Sequence, residues 1–242
     1  MSKTGTLLML TGILWFSIAK VEGTIIYDDG GIHEINTFIN GGVEVYDSST
    51  GNPTTVKLLS EGLIQWGLLA YNNSQVTISG GSMGYGLGAY DNSQVTIFDG
   101  TIGEDLAAEN NSQITIFGGS IGEYLLAHNE SRITISGGSI GEYMAAFDNS
   151  QVIMSGGSVV TELIVGNNSQ ITIYGTDFNV NGEPVGYGPI TAASGILTGT
   201  LDSGEAINND FYIYDDAGIA LVPEPGTVLL LGLGGLFLLK KQ

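Results

Sequence analysis

Between residues 72 and 175 one pattern of apolar and polar positions is repeated six times along the chain. Each repeat opens with a serine, and apolar residues follow at the second and fourth positions after it with a polar residue, usually threonine, between them. The opening serines recur at one constant interval, without exception: Ser74, Ser93, Ser112, Ser131, Ser150 and Ser169. Alternation with a period of two predicts a β-strand that is buried on one side. A short fixed period without insertions predicts a solenoid, in which each repeat is one coil stacked on the next.

The rest of each repeat predicts two further sides. A glycine pair such as residues 80–81 follows the strand and indicates a corner, because glycine adopts backbone conformations that other residues avoid. A single apolar residue such as Ile121 then forms a short second side, and a pair such as Leu125 and Ala127 forms a third. We place a second corner at the glutamates that strict alternation would bury, since an unpaired buried carboxylate is costly: Glu104, Glu123 and Glu142. An Asn or Asp pair closes the coil, so the pattern predicts a three-sided parallel β-helix.

The period also sets the predicted domain boundaries. One period before Ser74 lies Thr55, which predicts one degenerate coil ahead of the array. Its inward positions are Ile64, Leu68 and Ala70. We therefore predict an all-β fold, a parallel β-helix of about six to seven coils over residues 55–175. Irregular β caps are expected to cover its open ends at residues 24–54 and 176–221, with apolar helices at both termini of the chain.

Stacked coils lie about 4.8 Å apart, so like positions form columns along the solenoid. One column is glutamine, interrupted by Arg132: Gln75, Gln94, Gln113, Gln151 and Gln170. Another is asparagine, interrupted by Glu130: Asn73, Asn92, Asn111, Asn149 and Asn168. Amide side chains in register are able to hydrogen-bond up the stack. We interpret both columns as structural ladders and not as binding sites.

Two columns of hydroxyl side chains are candidates for a ligand face. The first is Thr77, Thr96, Thr115 and Thr134, and the second, on the next side, is Ser82, Thr101, Ser120, Ser139 and Ser158. A flat hydroxyl array suits a sugar or an ice surface. The alternative is that threonine occurs here only because it suits β-strands.

Residues 1–23 predict a signal peptide. A basic start at Lys3 precedes the apolar run of residues 7–19, and Ser17 and Ala19 offer small side chains for cleavage, with a cut after Gly23 as the alternative. An uncleaved anchor is disfavoured, because this run is shorter than the roughly 20 residues that span a bilayer. The chain is therefore expected to be exported.

Composition removes several classes of function. The chain has no cysteine, which excludes disulfides, a thiolate nucleophile and cysteine-ligated zinc. Residues 24–222 hold 23 of the 25 acidic residues but only two of the six Lys and Arg, namely Lys57 and Arg132, which gives a formal charge of −21. Nucleic acid is therefore not an expected partner, since it is held through clustered Lys and Arg. The sequence predicts no cofactor and no metal site.

The end of the chain carries the most informative motif. Val222, Pro223, Glu224 and Pro225 are followed by an apolar stretch at residues 228–239 and then by Lys240 and Lys241. This order predicts a rigid spacer, a short membrane-seeking helix and a positive end that stays in the cytoplasm. The apolar stretch is short for a permanent span, which favours a transient attachment to the membrane.

This segment, residues 222–242, resembles the C-terminal sorting signal of the PEP-CTERM proteins of Gram-negative bacteria, and the repeat array is similar to repeats in some members. The resemblance implies recognition by a membrane-embedded exosortase, cleavage near Pro223, Glu224 and Pro225, and release to the cell surface or to an exopolysaccharide matrix. The basic end is Lys-Lys here, where an Arg-containing cluster is more usual. Related C-terminal domains also carry an ice-binding label in family naming.

Three hypotheses remain open for the function of the exported body. We expect a non-catalytic structural or interaction protein of the cell surface, and the alternative is a sugar- or ice-binding protein that uses the threonine column. A polysaccharide-active enzyme is disfavoured, because no motif joins His33, His128, Lys57 and Arg132 into an acid and base pair. A calcium site at the stacked glutamates is also disfavoured, because the Gly- and Asp-rich nonapeptide of calcium-binding β-rolls is missing.

Overall fold

The computed structural model describes residues 23–223, and every regular element in that range is a β-strand. The chain coils into a parallel β-solenoid of about eight turns that are about 19 residues apart. This confirms the predicted all-β solenoid. The predicted signal peptide, apart from Gly23, and the predicted C-terminal helix lie outside the described residues.

The strands follow one another along the chain in this order: β1 (Ile25–Tyr27), β2 (Ile32–Ile35), β3 (Phe38–Ile39), β4 (Val43–Val45), β5 (Thr55–Leu58), β6 (Leu63–Ile64), β7 (Leu68–Ala70), β8 (Gln75–Met83), β9 (Leu87–Ala89), β10 (Gln94–Ile102), β11 (Leu106–Ala108), β12 (Gln113–Ile116), β13 (Ser120–Ile121), β14 (Leu125–Ala127), β15 (Arg132–Ile140), β16 (Met144–Ala146), β17 (Gln151–Val159), β18 (Glu162–Val165), β19 (Gln170–Val180), β20 (Glu183–Pro184), β21 (Gly188–Pro189), β22 (Ser194–Leu201), β23 (Ala206–Ile213) and β24 (Gly218–Val222).

These strands stack into three sides. The first side consists of β2, β5, β8, β10, β12, β15, β17, β19 and β24, and the third of β1, β4, β7, β9, β11, β14, β16, β18 and β23. The short second side is formed by β3, β6, β13 and the ends of β8, β10, β15 and β17. Neighbours along each side pair in parallel with like positions in register, as Thr96 with Thr115 on the first side and Leu106 with Leu125 on the third.

The core is a continuous column of aliphatic side chains that runs along the inside of the solenoid. The predicted inward residues are buried on all three sides, for example Val95 and Ile97 on the first, Ile121 on the second and Leu125 and Ala127 on the third. The chain bends at residues 103–104, 122–123 and 141–142, which confirms the predicted second corner at the glutamates. Each inward repeat position forms one buried column along the solenoid, which explains why the residue at such a position varies so little between coils.

The third corner explains the Asn or Asp that closes each coil. Asn72, Asp91 and Asn110 have φ angles of 60°, 58° and 59°, a left-handed conformation that Asn and Asp tolerate better than most residues. The serine that opens the next coil donates its N–H to the carbonyl three residues earlier, as from Ser93 to Tyr90 over 3.0 Å. This serine is buried inside the corner in all six repeats. Each repeat therefore begins with a turn, and the Asn-x-Ser sequences are a consequence of that turn.

The N-terminal part differs from the prediction. Residues 24–54, expected to form an irregular cap, contribute coils of their own, because β1, β2 and β3 pair in parallel with β4, β5 and β6. The solenoid therefore has about eight turns and not six to seven. Ile32 pairs with Thr55, and Thr55 with Gln75, and both of these steps are longer than the period of the later repeats. Longer corners hide the period in this part of the sequence.

The longer step between these coils also corrects the predicted alignment of Thr55 by one residue. Thr55 was expected to match Ser74, but it pairs with Gln75, and the preceding Thr54 takes the buried position of the serines. One additional residue in the following corner restores the register. The three inward residues predicted for this coil are therefore confirmed by their partners in the next one: Ile64, Leu68 and Ala70 pair with Met83, Leu87 and Ala89.

The C-terminal end combines coils with a hairpin. Strands β22 and β23 pair antiparallel, and β23 also continues the third side as the parallel neighbour of β18. Strand β24 continues the first side as the parallel neighbour of β19. Phe211, Ile219 and Leu221 are buried there and fill the end of the core. The last strand of the described chain is thus an integral part of the solenoid.

Candidate functional site

The folded body ends in a strand that is held on both edges. Strand β24 pairs with β19 up to its last residue, Val222, which lies beside Tyr174. Its other edge pairs antiparallel with β21. The side chains of Ile219 and Leu221 are buried in the core. Val222, the first residue of the predicted sorting signal, is therefore also the last residue of the solenoid.

The predicted sorting signal starts where this strand ends. Pro223 follows Val222 directly, whereas Glu224, Pro225, Lys240 and Lys241 lie outside the described residues. Residues 221–241 match the model of the PEP-CTERM protein-sorting motif. The chain carries a PEP-CTERM motif. It overlaps β24 by two residues, so no linker separates the folded solenoid from the PEP-CTERM segment.

The PEP-CTERM motif fixes the general fate of the chain. It implies an exported protein that is processed by exosortase, a membrane protein, and that reaches the cell surface. Within residues 23–223 there is no helix with the length and apolar character needed to cross a bilayer. No curated protein and no solved structure matches the chain.

The predicted threonine column lies on the first side of the solenoid. Its members are consecutive partners in the parallel ladder and are partly exposed: Thr77, Thr96, Thr115 and Thr134. The column ends at Lys57, whose Nζ lies 3.4 Å from a carboxylate oxygen of Glu34, and at Ile153. The second hydroxyl column, which begins at Ser82, lies around the first corner on the second side. That either column binds a ligand stays a prediction.

A pair of aromatic rings beside this column was not predicted from the sequence. Phe98 and Phe117 occupy the same position in adjacent coils, two residues beyond Thr96 and Thr115 on the first side. Their ring centroids are 5.2 Å apart, and the ring planes differ by 7°. About half of each residue is exposed, 52% for Phe98 and 51% for Phe117. The available signal was that the same position is serine in three other repeats: Ser79, Ser136 and Ser155.

The glutamine and asparagine columns do not form the predicted amide-to-amide hydrogen bonds. Within residues 23–223 no side-chain hydrogen bond joins two members of the glutamine column, although Arg132 donates from Nη2 to Oε1 of Gln151 over 2.8 Å. At the third corner, bonds run between Asn and acidic residues. Asn167 donates from Nδ2 to Oδ1 of Asp148 over 2.8 Å, and the backbone N–H of Asn72 donates to the Asp91 carboxylate over 3.0 Å. The expected amide ladders are therefore wrong as hydrogen-bond networks.

The histidines do not form a catalytic arrangement with each other. His33 lies in the first coil, where its ring stacks on Tyr27 at 4.2 Å and its Nε2 is 2.8 Å from an oxygen of Asp29. His128 lies four coils further along, stacked on Phe147 at 5.5 Å. In the part of the chain that the structure describes, no cluster of three His, Asp or Glu side chains is arranged to hold a metal ion.

A buried carboxyl group lies at the second corner. Asp105 is only 6% exposed, and its Oδ1 accepts the backbone N–H of Tyr124 over 3.2 Å. Burial raises the pKa of Asp105 to about 6; the Tyr124 N–H opposes this shift, and the neighbouring Glu123, Glu104 and Glu142 add to it. At neutral pH Asp105 is therefore mostly ionised, and its buried charge is less stable than it would be in water.

We expect Asp105→Asn to stabilise the protein increasingly as the pH rises. The folded-state pKa of about 6 lies above the ordinary value of 3.8, so the folded state binds the proton more tightly. The free energy of unfolding of the native protein therefore falls as the pH rises from about 4 to about 6. The amide keeps an acceptor for the Tyr124 N–H and carries no charge. Urea unfolding should show a gain of about 1 kcal/mol at pH 4.5 that grows to roughly 3 kcal/mol, as an upper bound, at pH 8.

The matched control is Asp99→Asn, which removes the charge of an exposed aspartate at the first corner. This variant should show no gain that grows over the same pH range. A gain for Asp105→Asn that is equal at pH 4.5 and pH 8 would contradict the assignment of a buried, protonatable carboxyl.

Proposed function

We propose that this protein is a non-catalytic scaffold of the cell surface, associated with the exopolysaccharide matrix of a Gram-negative bacterium. The observation that carries the proposal is the position of the PEP-CTERM motif, which begins on the last strand of the solenoid. A cut after this strand would release the complete solenoid, with its core intact, outside the cell.

The construction of the body supports a scaffold. Its core is one uninterrupted column, so stability is distributed along the coils and does not depend on one site. The absence of cysteine from the sequence makes folding independent of the redox conditions outside the membrane. The formal charge of −21 over residues 24–222 favours neutral or cationic partners and keeps copies of the protein apart.

The proposal is tested by locating the mature C-terminus. Cells with and without the sorting enzyme are fractionated, and the mass of the intact protein is measured in each fraction. We expect surface fractions of normal cells to contain a chain that ends near residues 223–225. Cells without the enzyme should retain the chain up to Gln242 in the inner membrane. A chain that keeps Gln242 at the surface in both strains would contradict the proposal.

A second candidate function is binding through the threonine column, either to a sugar or to ice. The in-register threonines favour it, since four like hydroxyls repeat at one spacing along the first side. The half-exposed rings of Phe98 and Phe117 interrupt this side and disfavour contact with a flat crystal surface. We therefore expect no thermal hysteresis from the purified protein, and a clear hysteresis gap would support ice binding instead.

A further inference from the structure

We propose that Phe98 and Phe117, with the neutral threonine and glutamine side chains beside them, form a binding site for a neutral polysaccharide chain. This deepens the proposed function, because it names the component of the matrix that the scaffold would hold. We define the first face as the outward side chains of the first side from Gln75 to Tyr174. The site lies on its edge, at the first corner.

The ring pair differs from the tyrosine stack of the third side. Tyr46, Tyr71 and Tyr90 also stack, but the Tyr90 ring lies over Gly88, where even an added Cβ would come within 2.6 Å of it. That stack shields the third side. Phe98 and Phe117 instead remain half exposed, although two apolar rings gain most by being covered. An exposed aromatic pair of this kind is typical of a contact surface.

The two outer ring surfaces of the pair are left open by the neighbouring coils. By the repeat period, the equivalent residue is Ser79 in the coil before the pair and Ser136 in the coil after it, although the backbone register shifts here and Ser79 pairs with Asp99. Serine is much smaller than phenylalanine, so the equivalent residues of the neighbouring coils add no further ring to the stack. The C–H-rich face of a pyranose is apolar and flat enough to occupy that place. A sugar chain lying along the solenoid axis would continue the stack.

Polar groups beside the rings suit the hydroxyls of a sugar. Thr96 and Thr115 lie two residues from the rings, and Gln94 and Gln113 follow in the next column. These side chains supply both donors and acceptors without charge. A surface that combines apolar rings with a few neutral hydrogen-bonding groups is the usual composition of a small-molecule site.

The charge pattern selects a neutral chain. On the first face the charged residues are Arg132 and, at the edge beside Phe98, Asp99, although residues 24–222 carry a formal charge of −21. Asp99, which follows Phe98 at the corner, accepts the backbone N–H of Gly100 over 2.8 Å. Many of the acids lie at the corners, and others lie in strands of the third side, such as Glu44 and Glu162, so an anionic polysaccharide is repelled along the body. The first face is thus the surface on which an uncharged chain is accepted.

The test is affinity electrophoresis of the full chain, purified in a mild detergent, in native gels that contain dextran, a galactomannan or alginate. We expect retardation in at least one neutral gel and none in alginate. The variant Phe98→Ser with Phe117→Ser should bind about tenfold more weakly or not at all. Because serine occupies this column in other coils, the variant should unfold at a temperature close to that of the original protein.

The matched control is Tyr85→Ser, which removes an exposed ring that stacks on Trp66 at another corner. It should keep full retardation. The proposal is overturned if the original chain runs freely in both neutral gels, if the double serine variant is retarded as strongly as the original, or if alginate retards the chain more than the neutral polymers do. The double variant should still reach the cell surface, so loss of sugar binding and failure of the proposed sorting are separate results.

Discussion

Deleting residues 112–130, one complete repeat, is expected to leave a folded solenoid that is one coil shorter. The deletion joins Asn111 to Ser131 and restores the corner sequence, so every remaining position keeps its column. Because each coil contacts only its neighbours, the free energy of unfolding should fall by about the contribution of one coil and one interface between coils. Far-UV circular dichroism and urea unfolding should show β structure and one cooperative transition.

The matched variant deletes residues 112–120 and should not fold. It removes the buried Ile114 and Ile116 and leaves about half a coil, too little chain to pass round three sides. Losing large buried side chains costs about 2–5 kcal/mol each, which together is comparable to the whole stability of a typical domain. If both deletions folded equally well, or if the complete-repeat deletion unfolded like the partial one, the stacking of like positions would be wrong.

A flexible spacer of six Gly and Ser residues between Val222 and Pro223 is expected to speed removal of the PEP-CTERM tail. Without it, β24 must leave β19 and expose Ile219 and Leu221 before an extended segment is free on both sides of the motif. Cleavage of a transiently opened segment follows the population of the open form, which changes tenfold for about 1.4 kcal/mol. Pulse-chase labelling should therefore show processing at least about tenfold faster.

Two controls belong to this experiment. The same spacer placed after Gly51, in an exposed turn, should leave the processing rate unchanged. Replacing Pro223, Glu224 and Pro225 by alanine should abolish processing. If the spacer at Val222 slowed or stopped the cut, the enzyme would have to recognise the end of the folded solenoid itself, and opening of β24 would not limit the reaction.

The fold was largely predictable because equivalent positions of the repeats lie above one another in the solenoid and share the same environment. Ile133 and Ile135 alternate with polar residues as their counterparts in the other coils do, and all are buried. The first coils were not predictable in the same way. The steps from Ile32 to Thr55 and from Thr55 to Gln75 are both longer than the repeat period, so these coils do not show that period in the sequence even though their strands pair in parallel.

Side-chain contacts outside the core were harder to predict than the backbone. The glutamine column is in register, yet long exposed side chains have many conformations, and the bond that forms links Gln151 to Arg132. Asp105 occupies a position that is glycine or tyrosine in nearby coils, and its burial depends on how neighbouring coils fill that corner. The exposed rings of Phe98 and Phe117 were not predictable from the period, because a repeat pattern shows the positions that coils share and these two rings occur in only two coils.

The most direct test of the stacked solenoid measures distances along one column. The chain has no cysteine, so spin labels on Gln75→Cys with Gln151→Cys, and on Gln75→Cys with Gln170→Cys, attach only at the chosen sites. These pairs are separated by four and five coils, and pulsed dipolar spectroscopy should give about 19 Å and about 24 Å, one coil spacing apart. Distances that do not increase by about 4.8 Å from the first pair to the second would contradict the parallel, in-register stack.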